Sequence, residues 1–391
     1  MRSKKIFYIY IFITLFIGTS VQQFLNIDLN TDGVIANSHY LALPFLLVAF
    51  LFNNSIIRFT DLDKNLFVLL VIIGGFNALV LRKSVGFSGF LNFVIEPILL
   101  FSLLRVYNED KSLKIKKIIV AFFIVECVIA IFEATTKNIL FANVSGFVYE
   151  NLFTDMRAYS LHGHPLQNAF LVSILSSVIL SSKMKTIHRY ALFFLGFLAV
   201  FSFNTRSSIY ILSFIFILNI YHDIRNRKMK GWQKFLFVIG LLIVMFLVGN
   251  YIENHSLGSR LSTGLTADDS SSNARFVLVG IIKSMDLKDL LFGVSNSYVM
   301  NIMNKYELIA IENSIVNLIF GYGLIFTIMF FYFMYKYLKR IGTTQYMFYT
   351  TMLVAFLLLN ANNALSTTCP IFPILILGLY AFREKPFLVS R

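Results

Sequence analysis

The sequence predicts an all-α polytopic membrane protein with about twelve transmembrane helices and two enlarged loops on one face of the membrane. Hydrophobic residues make up 57% of the 391 residues and charged residues only 14%. A soluble chain of this length would need a far more polar surface around its core. The apolar runs 118–134, 235–251 and 314–335 are also long enough, or nearly so, to cross a hydrocarbon layer roughly 30 Å thick.

The apolar runs follow one another along the whole chain, so residues 1–391 are predicted to form one membrane domain without repeats or soluble domains. The predicted spans are 6–25, 39–57, 66–81, 87–104, 118–134, 167–182, 190–204, 207–221, 235–251, 314–335, 346–363 and 369–382. The first run lacks a small-residue cleavage site and is expected to remain as an anchor. Cys127 and Cys369 both lie in apolar runs, which favours buried thiols over a disulfide framework.

The basic residues predict the orientation of the chain. With the amino terminus inside, 24 of the 34 lysines and arginines fall in the short inside segments and termini. This distribution is the usual signal for a cytoplasmic face, so both termini are predicted to be inside. The basic runs 111–117 and 225–234 are then expected to contact anionic membrane lipid, and the net charge of +14 does not indicate a nucleic-acid partner.

Two outer loops are long, whereas the remaining outer loops are short. They cover residues 135–166 and 252–313. Transporters usually keep their loops short and place their chemistry near the membrane midplane. Two long loops on the outer face therefore predict a site at the outer boundary between membrane and water.

The first outer loop ends with candidates for acid–base chemistry and anion binding. Gly163 and Pro165 bracket a tight bend, which is expected to turn Arg157, His162 and His164 towards one cavity. A neutral histidine can act as acid or base near pH 7, and an arginine offers a forked donor to phosphate. The alternative is that both histidines are interfacial polar residues with no chemical role.

A second candidate is Arg206, which lies between two short apolar runs with almost no loop. A charge at the lip of a bilayer is costly unless it faces a wet cavity or a partner anion. Arg206 is therefore predicted to bind an anion, with a snorkelling side chain as the alternative.

The second outer loop contributes two further arginines, Arg260 and Arg275. Residues 274–285 are predicted to form a short amphipathic helix that Ser272 or Asn273 opens. Arg275 would lie in its first turn, where the helix amides favour an anion, although a solvated arginine fits the pattern equally well.

Acidic side chains supply the other candidates. Glu312 and Asn313 stand just before a helix, where Glu312 could act as a base or cap that helix. Glu126 and Glu133 lie seven residues apart on one helix face, as in a proton relay, but a structural role is the favoured interpretation, in which they hydrogen-bond neighbouring helices or line an aqueous cavity. No metal-binding, P-loop or dinucleotide-binding motif is present.

The order of these motifs resembles Wzy-type O-antigen and capsular polysaccharide polymerases, within the Wzy/O-antigen ligase superfamily of GT-C-like membrane glycosyltransferases. The motifs are Arg157 with Gly163-His-Pro-Leu-Gln-Asn168, Asn204-Thr-Arg206-Ser-Ser208, Asp268-Asp-Ser-Ser-Ser-Asn-Ala-Arg275 with Leu291-Phe-Gly293, and Glu312-Asn-Ser314 with Phe320-Gly-Tyr-Gly323. The resemblance covers mainly residues 150–330. Ligases of the superfamily tend to carry His where this chain has Glu312, which favours a polymerase.

The resemblance implies glycan transfer from undecaprenyl pyrophosphate onto a lipid-linked repeat unit at the periplasmic face of a bacterial inner membrane. Arginine side chains that contact the anionic pyrophosphate would stabilise its departure, so the reaction would need no metal or cofactor. The expected base is one of Glu312, His164 and His162. The expected substrate-binding residues are Arg157, Arg206, Arg275, Arg260 and Asn313.

The same resemblance implies partners and leaves alternatives. The expected partners are the lipid-linked oligosaccharide, membrane lipid, and a chain-length regulator and flippase of the same pathway. An O-antigen ligase of the superfamily is one alternative. A flippase for lipid-linked oligosaccharides is the other, and Glu126 and Glu133 are the features that favour it.

Overall fold

A computed structural model describes residues 2–25, 38–53, 61–79, 89–105, 109–141, 156–226, 231–255, 257, 270–308, 311, 313–361 and 370–384. Within these residues the chain forms helices and no β-strand. The helices are α1 (Arg2–Phe16), α2 (Thr19–Phe24), α3 (Ser38–Phe52), α4 (Asp61–Leu79), α5 (Glu96–Leu104, after a π-helical turn at Leu91–Ile95), α6 (Glu109–Thr136), α7 (Pro165–Leu180), α8 (Thr186–Ser202), α9 (Arg206–Asn226), α10 (Gly231–Asn254), α11 (Ser270–Ser284), α12 (Leu287–Phe292), α13 (Asn296–Lys305), α14 (Ser314–Lys339), α15 (Gln345–Ala361) and α16 (Ile371–Ala381).

The helices have the character of a membrane protein. Among the described residues, three are long and apolar enough to cross a membrane: Ser112–Thr136 in α6, Arg206–Arg225 in α9 and Ser314–Lys339 in α14. Eight shorter apolar helices accompany them. Large apolar side chains such as Phe52 and Phe246 lie on the surface, which is the arrangement that lipid favours. The predicted all-α fold is therefore confirmed, the apolar helices support the predicted membrane character, and a count of about twelve spans remains a prediction.

Two helices form the centre of the bundle. Every residue of α16 is buried, and so is every residue of α7 except Leu166. Helix α16 packs against α5, α6 and α7, and α7 packs in addition against α8, α9 and α15. Cys127 is buried in this core as a free thiol, as predicted, and Cys369 lies outside the described residues.

The first predicted span is not one helix. Helix α1 ends at Phe16 and α2 begins at Thr19, so the run 6–25 is broken at Gly18. The backbone of Leu161 approaches so closely here that a Cβ on Gly18 would lie 2.2 Å from the Leu161 carbonyl oxygen. Contact with a distant segment, which hydropathy does not reveal, explains this error.

The second outer loop contains more structure than the single predicted helix. Helices α11, α12 and α13 build a small layer with its own apolar cluster, and they share that cluster with the first turns of α14. Helix α11 begins at Ser270, before the predicted start at 274. Arg275 therefore lies in the second turn, beyond the first-turn amides that the prediction relied on.

Helix α14 is interrupted at Gly323, whose φ of 89° and ψ of 164° are not helical. The chain after α12 enters this break, where Gly293 has a φ of 81° and the Val294 amide donates to the Phe320 carbonyl at 2.7 Å. A Cβ on Gly323 would lie 2.1 Å from the Leu291 carbonyl oxygen. The two glycines thus interlock α12 with α14, and we call this contact the glycine interlock.

The helix ends show that the candidate motifs share one end of the bundle. At the opposite end, Arg189 at the start of α8 forms an ion pair with Asp223 near the end of α9, and His222 stacks on Tyr346 at the start of α15. The end of α8 and the start of α9 must therefore lie at the same end as the last turn of α15. Asn313, before α14, donates to the Asn360 carbonyl in that last turn at 3.1 Å. We call this the motif end.

Candidate functional site

The segment 156–164, which we call the strap, joins the two arginine motifs at the motif end. The Ala158 amide donates to the Ser202 carbonyl at 3.0 Å, and Asn204 Nδ2 donates to the Met156 carbonyl at 3.5 Å. Asn204 has a φ of +54°, which makes a sharp turn between the end of α8 and the start of α9 at Arg206. The backbone on both sides of Arg157 is therefore bound to the turn that precedes Arg206.

Arg157 and Arg206 are both partly buried. Among the described residues, no acidic side chain forms an ion pair with Arg157. A partly buried guanidinium keeps its charge and is stabilised by an anionic ligand. The position of these two arginines agrees with the anion-binding role that the sequence predicts for them, a role that the structure does not itself test.

Glu133 binds the strap through its backbone. Its carboxylate accepts the amides of Tyr159 at 2.7 Å and Ser160 at 2.9 Å on Oε2, and the amide of Leu140 at 3.0 Å on Oε1. Although Glu133 is fully buried, both of its oxygens thus have hydrogen-bond donors. The hydrogen bonds satisfy the carboxylate locally, in the structural role that the sequence favoured, but the donors belong to a loop and not to neighbouring helices.

Glu126 binds the next part of the strap. Its Oε2 accepts the Leu161 amide at 3.3 Å, and its backbone carbonyl accepts Ser160 Oγ at 3.1 Å. Glu126 and Glu133, which share one face of α6, therefore both bind the strap. Neither contact continues a path of acidic groups through the bundle, which weakens the case for a proton relay.

The two histidines of the strap lie in different environments. His162 is fully buried, with Nε2 3.1 Å from the Leu15 carbonyl and its ring edge-on to Phe122, while Thr19 Oγ1 donates to its carbonyl. His164 is exposed and precedes α7. The expectation that both face one cavity with Arg157 is therefore wrong, because Leu161 and His162 turn inward against α1 and α2.

The predicted bend after the strap is confirmed. Gly163 has a φ of +74°, and Pro165 is the first residue of α7. A Cβ on Gly163 would lie 2.5 Å from Thr19 Oγ1, so this close approach requires glycine.

Tyr159 lies two residues after Arg157 in the strap, and its side chain is partly buried. Partial burial, together with the negative charge of Glu133, raises the pKa of its phenol. The phenol therefore stays protonated at neutral pH and remains a hydrogen-bond donor. The sequence analysis did not single out this residue.

The second group of candidates gathers around the start of α14. Asn313 caps that helix, since its Oδ1 accepts the amides of Ile315 and Val316, both at 3.0 Å. This contact gives Asn313 a structural role, and its predicted contact with substrate stays a prediction. Glu312 and Arg260 lie outside the described residues, and of Arg275 only the helical backbone is described.

The described parts of the chain contain no cluster of three or more His, Cys, Asp or Glu side chains that could hold a metal ion. Comparisons with family models, with curated proteins and with solved structures find no match to this chain.

Proposed function

We propose that this chain is a polysaccharide polymerase of the membrane that transfers a glycan from undecaprenyl pyrophosphate onto a lipid-linked repeat unit. The observation that carries the proposal is the hydrogen-bonded link between the strap and the turn before Arg206. It holds two partly buried arginines at one end of the bundle. Their ligand would be the pyrophosphate of the donor, which is the leaving group of the reaction.

The chemistry follows from the charge of that leaving group. The polyprenyl pyrophosphate departs easily from the anomeric carbon of the glycan when its oxygens are held by fixed cations, and forked guanidinium donors need no reorganisation as this bond breaks. Arg157 and Arg206 would bind the pyrophosphate. Arg275 and Arg260 would contribute from the second outer loop.

A base must take the proton from the acceptor hydroxyl as the new glycosidic bond forms. His164 is exposed at the motif end, and Glu312 immediately precedes Asn313 there. These two residues are the proposed bases. His162 has no exposed surface that an incoming hydroxyl could reach, and we assign it to packing.

The proposed setting is a bacterial inner membrane crossed by about twelve helices, with both termini in the cytoplasm and the motif end in the periplasm. The proposed partners are the lipid-linked oligosaccharide, a chain-length regulator and a flippase. Glu126 and Glu133, which favoured a transporter at first, are engaged with backbone amides. This use of the carboxylates supports the polymerase over the flippase.

The test is removal of the gene, followed by analysis of surface glycans on gels. Loss of a polymerase should leave single repeat units on the cell surface and no long chains, and the intact gene should restore the long chains. Surface glycan absent altogether would indicate a flippase and contradict the proposal. Long polymer that accumulates on the lipid carrier without reaching its final acceptor would indicate a ligase and would contradict it equally.

A further inference from the structure

One buried side chain holds both ends of the first outer loop. Oε1 of Glu133 accepts the Leu140 amide, at the start of the loop, and Oε2 accepts the Tyr159 and Ser160 amides, at its end. We call these four residues the clasp. Leu140 lies nineteen positions before Tyr159 along the chain, yet the amides of both segments converge on one carboxylate.

The clasp lies two residues from Arg157. The Asn204 amide group binds Met156 on one side of that arginine, and the Ala158 amide binds Ser202 on the other. Tyr159 is fixed at both backbone groups, because Asn168 Nδ2 donates to its carbonyl while Glu133 accepts its amide. Arg157 therefore projects from a backbone that is bound at every neighbouring residue.

We infer that Glu133 is a positioning residue, which fixes Arg157 beside the turn of Arg206 by closing the base of the first outer loop. This inference rests on the proposed function for its catalytic consequence, whereas the clasp itself does not. A carboxylate suits the task because three N–H donors point at it and each of its oxygens accepts. Glutamine has a single acceptor oxygen, so it can serve only one side of the clasp.

The first measurement is hydrogen–deuterium exchange on the full-length protein in lipid nanodiscs. In Glu133→Ala, the amides of Leu140, Tyr159 and Ser160 should exchange at least about tenfold faster, because their hydrogen bonds are lost. Glu133→Gln should free one side of the clasp and keep the other. Glu96→Gln is the matched control, since Glu96 is also a buried carboxylate but binds Tyr10 instead of the strap. Unchanged exchange at these three amides in Glu133→Ala would overturn the inference.

The second measurement separates positioning from general damage. Purified Glu133→Ala should elongate a lipid-linked repeat unit with a kcat/KM at least about tenfold lower than wild type. In an Arg157→Ala background the same change should add little, because the residue on which it acts is gone. Effects that multiply in the double variant would show that Glu133 is merely structural and would overturn the positioning role. If the wild-type protein made no polymer, the proposed function would fail, and the exchange rates would decide the clasp alone.

Discussion

An arginine and a lysine carry the same charge, but they do not bind a pyrophosphate in the same way. The guanidinium of Arg206 is planar and presents several N–H donors in a fixed fork, whereas an ammonium is a compact point charge. If Arg206 only reached from the helix end towards water, either side chain would serve. The difference between the two residues therefore separates a ligand from an anchor.

We predict that Arg206→Lys lowers polymer formation about 10²-fold at unchanged protein abundance, because the forked contact to the leaving group is lost. Arg157→Lys should behave alike, since the strap holds Arg157 next to the same turn. The measurement is chain length on glycan gels, normalised to protein in the membrane. Arg225→Lys is the control on the same helix: Arg225 donates to the exposed Tyr221 hydroxyl near the other end of α9. Full-length polymer from Arg206→Lys would remove Arg206 from the site.

The sequence predicted those features of the site in which the backbone conformation depends on neighbouring residues alone. Pro165 after Gly163 specifies a bend and a helix start, and both are present. The sequence could not predict that His162 is buried while His164 is exposed, because the burial of His162 depends on contacts with the distant Leu15 and Phe122. Spacing placed Glu126 and Glu133 on one face of α6, but the amides that bind them belong to a loop that folds back from beyond the helix.

At the scale of elements, the glycine interlock joins the small layer of α11, α12 and α13 to the bundle, beside the apolar cluster that this layer shares with α14. Helix α12 packs against α14 through it, and Asn77 Nδ2 of α4 donates to the Tyr322 carbonyl at 3.1 Å. Thr327 Oγ1 donates to the Gly323 carbonyl at 2.8 Å, so these carbonyls at the helix break are satisfied within the protein. The Leu-Phe-Gly and Gly-Tyr-Gly motifs of the sequence are in this sense one structural feature.

We predict that Gly323→Ala and Gly293→Ala each lower the free energy of unfolding by about 2–3 kcal/mol, because both positions have positive φ and an added Cβ would overlap backbone atoms. Denaturant titration of the purified protein in detergent measures this change. The matched control is Gly280→Ala in α11, where a Cβ would meet nothing within 4 Å. That variant should be more stable by roughly 0.5–1 kcal/mol. Equal stability of the Gly323 and Gly280 variants would contradict the interlock.

Hydropathy predicted the existence of the elements better than their ends. Every predicted span contains helix over most of its described residues, because long apolar runs have few other ways to satisfy their backbone in lipid. The break at Gly18 and the interruption at Gly323 escaped prediction, since each is caused by the backbone of a remote segment. The sequence likewise predicted one helix in the second outer loop, where three are present, because these helices are less hydrophobic than the predicted spans.

For the molecule as a whole, the distribution of charged and apolar side chains indicates a surface that faces lipid. Glu126, Glu133, Arg189 and Asp223 are buried inside the bundle, while large apolar side chains such as Phe246 and Ile328 lie exposed on its surface. Water would favour the reverse distribution, so lipid is the solvent that this surface fits. Glu126 and Glu133 are bound by backbone amides at the motif end, and Arg189 is paired with Asp223 at the other end.

The orientation of the bundle is the prediction on which the whole site depends. Reporter fusions after Gly146 and Gly264 should be active only outside the inner membrane, because both positions lie in the long outer loops. A fusion after Gly231, at the start of α10 and within the basic run 225–234, should be active only inside, since short basic segments stay in the cytoplasm. The paired use of a reporter that works only outside and one that works only inside makes each fusion its own control. An inside reading at Gly264 would place Arg206 and the strap in the cytoplasm, where a lipid-linked repeat unit that has already crossed the membrane could not reach them.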